Sequence, residues 1–150
     1  MSVYYLDTSV LVKLYIREPG TEQMIGLAST GQGHSLAVLS LARVEFRSAI
    51  RQRQRAGDVS HEATDGLIRM MENHFQGMFL VQLVNEEVIE QAAALLDLYP
   101  LRAYDAAQLA GCLALGSRMI ERPSFVSSDQ RLLRAAEGEG FPTLDPGAEL

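Results

Sequence analysis

Apolar runs of strand length alternate along this chain with segments of helical period. Residues 2–7, "SVYYLD", make a first strand, and "TSVLVKLYI" continues at helical spacing. "REPG" reads as a turn, and a helix is predicted over about 21–29. "HSLAVLS" (34–40) is a second strand running into a long helix over about 41–55. Ser60 stands where an N-cap belongs, ahead of the helical segment "HEATDGLIRMMENHF". "MFLVQLV" (78–84) reads as a third strand, followed by "EEVIEQAAALLDLY", a helix that Asn85 would cap. Pro100 breaks the chain, and "RAYDAAQLAGCLALG" is then a helix apolar on nearly all sides, as a central buried helix is. "SFVSS" is a fourth strand, "DQRLLRAAEG" a helix ended by Gly138, and "FPTLD" a last short strand. This alternation predicts one α/β domain over residues 1–150, a three-layer sandwich whose central sheet is mostly parallel and covered by helices.

Four acids interrupt that pattern in unusual places. Asp7 and Asp129 directly follow the first and fourth strands, and ligands in open α/β sheets bind beyond the carboxyl ends of strands. Glu45 shares a helix face with Leu41, Ser48 and Ala49, and Asp105 shares one with Leu101, Leu109 and Cys112. A carboxylate on a buried stripe is costly unless paired or bound to metal. Four converging carboxylates would need a counter-charge, and oxygen-only ligands favour magnesium or manganese. Each acid also has a local explanation. Asp7 and Asp129 sit at N-cap positions. Glu45 could pair with Arg43 or another nearby arginine, and Asp105 with Arg102 three residues before it.

Composition narrows the function classes. At 150 residues, 47% hydrophobic and 21% charged, the chain has enough material to bury a core and is unlike a disordered sequence. A net charge of −6 argues against gripping nucleic acid over the whole surface, though not against a local basic strip. Cys112, the single cysteine, lies among leucines and reads as a buried structural thiol. With no basic, apolar leader and no run of membrane-spanning length, a cytoplasmic protein without membrane attachment is expected. His34, His61 and His74 lack metal-ligand spacing, and His61 and His74 are expected on an exposed helix face. Met70, Met71, Leu67 and Phe75 form a helix face expected to pack or to accept a partner's helix.

The segments "YYLDTSVLVKLYIREPG", "SLARVEF", "LRAYDAAQLA" and "FVSSDQRLLRAAEGEGF", followed by "LDP", stand in an order and spacing that together resemble a PIN-domain ribonuclease. Within that family they are most similar to the VapC toxins of type II toxin–antitoxin pairs. The resemblance runs from about residue 3 to residue 146. It implies a metal-dependent endoribonuclease with Asp7, Glu45, Asp105 and Asp129 as catalytic, metal-holding acids and Mg2+ or Mn2+ as cofactor. It also implies an RNA substrate, a separate antitoxin protein, a homodimer, and products ending in 3′-hydroxyl and 5′-phosphate. Ser9 and Ser127 are expected to orient ligands or water beside the acids. Gln108 stands where many members of the family carry a histidine, a change expected at the rim of the site. A non-catalytic PIN-fold scaffold that binds RNA or protein is the alternative. A haloacid-dehalogenase-type phosphatase fits less well, because Ser9 occupies the place where that chemistry wants a second aspartate.

Phosphate contacts need cations, and "ARVEFRSAIRQRQR" places Arg43, Arg47 and Arg51 along one helix flank, with Arg53 and Arg55 beyond. Arg43, Arg47 and Arg51, together with Arg102, are the expected contacts for RNA or for an acidic antitoxin segment. A merely solvated helix face is the competing reading. The chain has no Trp, which argues against a broad stacking groove for single strands.

Overall fold

Side-chain alternation along the strands sorts the core into two halves. The structure, a computed structural model, describes residues 2–29 and 33–148. In β1 (Ser2–Leu6), Val3 and Tyr5 join one buried cluster and Leu6 the other. In β2 (His34–Leu39), Ala37 and Leu39 join the first, Leu36 and Val38 the second. β4 (Ser124–Val126) does the same with Phe125 and Val126. Period-two alternation of apolar residues on both faces is what a sheet covered on both sides requires.

The helices divide accordingly. α1 (Thr8–Leu11, prolonged by a 3-10 turn over Val12–Leu14), α2 (Thr21–Ala28), α3 (Ala42–Arg55) and α4 (His61–Gly77) cover one face, burying Leu11, Met24, Phe46, Ile50 and Met71. α5 (Glu86–Leu98), α6 (Ala103–Gly116) and α7 (Gln130–Gly138) cover the other with Val88, Leu95, Leu109 and Leu132. Between them, β3 (Leu80–Gln82) and β5 (Thr143–Leu144) complete a five-stranded sheet in the order β3-β2-β1-β4-β5, with every pairing parallel. The expected three-layer α/β architecture is therefore present.

Local signals placed most boundaries. Ser60 caps α4 by accepting from the Ala63 amide at 3.1 Å, and Asn85 caps α5 by accepting from Val88 at 3.0 Å. The edge strands are shorter than the apolar runs suggest. "MFLVQLV" supplies only Leu80–Gln82, because the amides of Met78 and Phe79 still bond to the His74 carbonyl at the end of α4. Val84 then leaves the ladder and donates its amide to Ser40 Oγ at 3.0 Å. "SFVSS" likewise ends as a strand at Val126.

One glycine has a steric duty. A Cβ on Gly111 of α6 would stand 2.7 Å from Leu39 Cδ1 and would overlap the Tyr5 hydroxyl. This helix can therefore lie directly on β1 and β2 only because position 111 lacks a side chain.

Candidate active site

β1 delivers Asp7 to the carboxyl edge of the sheet, beside the point where strand order reverses between β1 and β4. The side chain is only 4% exposed. Its Oδ1 accepts from Ser9 Oγ at 2.6 Å and from the Val10 amide at 3.3 Å, and its Oδ2 accepts from Ser127 Oγ at 2.7 Å. Asp7 is thus the N-cap of α1 as well as a buried acid. Burial raises its pKa from 3.8 to about 6 against the pull of those three donors, and the charge of Asp105 raises it further.

Glu45 lies in the first turn of α3 and is half-buried. Its Oε1 accepts from Thr8 Oγ1 at 3.1 Å and from Gln108 Nε2 at 2.7 Å; the Gln108 amide also donates to Thr8 Oγ1 at 3.3 Å. No arginine pairs with it among the described residues, because Arg43 bonds to Glu72 instead, at 2.7 Å. Burial raises the Glu45 pKa, the two donors lower it, and Asp105 raises it.

Asp105 occupies the first turn of α6, and Asp129 caps α7. Asp129 Oδ1 accepts from the amides of Arg131 at 2.9 Å and Leu132 at 3.2 Å, so its cap role is also real. Asp105 has its pKa raised by burial first and by the charge of Asp129 second; Arg102 and Arg131 oppose this. The local pair with Arg102 is loose, at 3.9 Å, and the arginine side chain is 85% exposed. Asp105 therefore feels, or is felt by, all three other acids. Each of the four stands at a helix start, where the helix dipole offsets part of its charge.

Lone-pair accounting shows what this leaves. A carboxylate oxygen accepts about two hydrogen bonds. Asp7 Oδ1, Glu45 Oε1 and Asp129 Oδ1 each take two donors, while Asp7 Oδ2 takes one. Glu45 Oε2, Asp129 Oδ2, both Asp105 oxygens and half of Asp7 Oδ2 have no close hydrogen-bond partner among the described residues. The free donor set is oxygen only and anionic, which fits a hard divalent cation. Electrostatic influence links Asp105 to each of the other three acids. Among the described residues no three acidic, histidine or cysteine side chains stand close enough together to enclose an ion.

The remaining expectations divide. Ser9 and Ser127 act on an acid itself: both hydroxyls donate to Asp7, while Ser9 Oγ accepts from the Ser128 amide at 3.2 Å and Ser127 Oγ from the Asp129 amide at 3.0 Å. They lock β1 to the loop after β4. Gln108 is not at the rim but 2% exposed, the donor that orients Glu45, and its Oε1 has no hydrogen-bond partner among the described residues. The sequence signal for it was an amide on the otherwise apolar face of α6. Along α3, Arg43 pairs with Glu72 and Arg51 with Asp65 at 2.8 Å, and Arg53 is paired with Glu18, so much of the expected basic flank is internally neutralised; Arg47 is exposed. His61 is exposed as expected, but His74 is half-buried with Nδ1 2.6 Å from the Tyr15 hydroxyl. Of the methionine face, Met71 and Phe75 are buried, whereas Met70 points outward. Cys112 is buried, and burial pushes its thiol well up. No helix among the described residues is long and apolar enough to cross a membrane.

Comparison with known proteins agrees with this fold. The PIN domain family matches residues 4–138. Ribonuclease VapC47 of Mycobacterium tuberculosis (strain CDC 1551 / Oshkosh) is 32% identical over 146 residues, spanning 96% of this chain and 97% of that protein. VapBC2 from Rickettsia felis, solved bound to a DNA fragment from its promoter, superposes with a TM-score of 0.66 at 11% identity over 95% of this chain and 98% of the other. A toxin–antitoxin complex from Klebsiella pneumoniae gives 0.61 at 16% identity over 98% and 99%.

Proposed function

The chain belongs to the PIN-domain family, and from that membership we propose that it is an endoribonuclease toxin that hydrolyses RNA phosphodiester bonds with a divalent cation, magnesium or manganese. Asp7, Glu45, Asp105 and Asp129 are its catalytic acids. The observation that carries this reading is the set of carboxylate oxygens left without donors at one sheet edge among the described residues; burial and a neighbouring carboxylate raise the pKa values of Asp7, Glu45 and Asp105. Glu45 Oε2, Asp7 Oδ2 and the Asp105 carboxylate, with Asp129 Oδ2, would hold the cation. When bound, it supplies Lewis-acid neutralisation of the phosphate and acidifies water.

The chain's own residues do the rest. Ser9, Ser127 and the Val10 amide fix Asp7 so that only one lone-pair direction stays open. Thr8 and Gln108 fix Glu45 by one oxygen and leave the other to act. Holding both acids by these neighbouring donors removes rotamer freedom from the site before substrate arrives, which is where orientation contributes to rate. Asp105, with the fewest partners, is the most adjustable of the four and is suited to follow charge as it develops.

An antitoxin partner and a toxin role are supported by the VapC ribonuclease relative and by a fold neighbour that is a toxin–antitoxin complex. Homodimerisation belongs to the same reading, and sedimentation equilibrium decides it. The central test is cleavage of total cellular RNA with Mg2+ or Mn2+ and with chelator, followed by end mapping. Cation-dependent cuts leaving 5′-phosphates are expected, with Asp105→Asn lowering turnover by at least about a hundredfold. Chelator-insensitive cleavage, or full activity in Asp105→Asn, would refute the assignment. RNA binding without any cleavage would return the chain to a non-catalytic scaffold.

A further inference from the structure

The side of the site formed by Asp105 and Asp129 is flanked by cations. Arg131 and Arg134 leave α7 three residues apart, on the face opposite its buried Leu132, Leu133, Ala135 and Ala136. Both are exposed, and among the described residues neither forms an ion pair at salt-bridge distance. With Arg102, Asp105, Asp129 and Gln130 they line a cavity of about 310 Å³. Three guanidinium groups and two of the four acids therefore share one cleft. This contrasts with α3, where Arg43, Arg51 and Arg53 are matched by Glu72, Asp65 and Glu18. Cations left unmatched in a chain of net charge −6 mark where outside negative charge is expected.

We propose that Arg131 and Arg134, with Arg102 at the rim, form a phosphate-binding subsite for single-stranded RNA, holding the backbone phosphate next to the one at the acids. The assignment rests on the ribonuclease reading and deepens it. Chain connectivity is the argument. A phosphodiester placed at Asp105 and Asp129 carries its neighbouring phosphate one nucleotide away, and the first cations it meets in this cleft are these. Side chains at i and i+3 have Cβ atoms about 5–6 Å apart, so the two guanidinium forks can close on one phosphate or on two successive ones. A phosphate there would also bring Arg131 and Arg102 the counter-charge that Asp105 supplies only weakly.

The test compares wild type with Arg131→Ala/Arg134→Ala, Arg131→Lys/Arg134→Lys and a control that removes a cation elsewhere, Arg17→Ala, whose residue sits before α2 in an exposed pair with Glu22. The probe is a fluorescein-labelled single-stranded RNA oligonucleotide carrying the cut site mapped in total RNA. Binding is measured in chelator across a salt series, and cleavage in Mg2+. The double alanine variant is expected to raise Kd and KM by on the order of tenfold or more with kcat within about threefold. Its slope of log Kd against log salt should fall by about 0.7 for each phosphate that the arginines no longer neutralise. The lysine variant keeps most of the slope, and Arg17→Ala keeps all of it. Unchanged slope and KM in the alanine variant, with wild type still cutting, overturn the subsite alone. A wild type that cuts total RNA but neither binds nor cuts the oligonucleotide overturns the single-strand subsite and leaves the ribonuclease reading standing, whereas a wild type that cuts no RNA at all overturns both. Loss of affinity for a labelled oligoglutamate peptide with the RNA slope intact reassigns the arginines to an acidic protein segment and also overturns it. Circular dichroism guards against misfolding of the exposed-site variants.

Discussion

Asp7→Asn should make this protein more stable, and by an amount the structure specifies. The carboxyl is buried with its pKa raised from 3.8 to about 6. An acid whose folded pKa lies above its unfolded one holds its proton more tightly when folded, so its ionisation opposes folding. That penalty is absent below about pH 3.8, grows between there and about 6, and is complete above. At about 1.4 kcal/mol per pH unit, it amounts to roughly 3 kcal/mol near pH 7.5 and about 1 kcal/mol near pH 4.5. Asparagine mimics the neutral acid. Its carbonyl can keep the Ser9 and Val10 donors, and its amide can donate to Ser127 Oγ, so most of the gain should survive. A stabilisation of about 2–3 kcal/mol, or a Tm rise of roughly 4–12 °C, is expected near pH 7.5 in chelator. The assay is urea unfolding followed by far-UV circular dichroism at both pH values. A bound cation stabilises the folded state by mass action, so Mn2+ should raise the wild-type midpoint and leave the variant nearly unmoved. A variant that is neutral or destabilised near pH 7.5, or one equally stabilised at both pH values, would refute the claim that burial of this charge is the strain at the site.

Other outcomes follow from the same packing. Gln108→Leu should lower kcat about tenfold while changing stability by less than about 1 kcal/mol, because it removes both a donor to Glu45 and the orphaned Oε1; Gln108→His, which restores a donor, should recover much of the rate in steady-state cleavage assays. Gly111→Ala should cost about 1–3 kcal/mol in urea titrations, since the new methyl collides with Tyr5 and Leu39. Tyr5→Phe should be neutral or slightly stabilising, as its fully buried hydroxyl has no partner among the described residues, and it should relieve part of the Gly111→Ala defect in the double variant. The pH profile of kcat/KM should rise along an acid limb as Asp7 loses its proton, with the midpoint falling below about 6 as Mg2+ is raised, because a cation favours the ionised form; a limb indifferent to Asp7→Asn would remove Asp7 from the site.

Much of the fold was legible in the chain because its signals are local. Strand alternation at Val3, Tyr5 and Leu6 and caps at Ser60, Asn85 and Asp129 involve residues within a turn or two of one another, and the same physics operates before and after folding. The edge strands come out shorter than their apolar runs for the complementary reason. An apolar run such as "MFLVQLV" reports burial and β propensity, whereas strand length depends on how much partner strand is available, and β2 offers β3 only Ala37–Leu39.

The four acids and their order along the chain were set by sequence alone, as was their place at strand ends and helix starts. Tertiary structure decided what each can do. Gln108 reaches Glu45 across 63 residues and Ser127 reaches Asp7 across 120, and these contacts determine which carboxylate oxygens are spent and which stay open. Packing of α4 on α3 brings Glu72 to Arg43 and neutralises cations that look available in the linear string, while among the described residues nothing comparable reaches Arg131 and Arg134. The physical reason is range: periodicity and capping act over a few residues of chain, but desolvation and charge pairing depend on neighbours that only folding brings within a few ångströms.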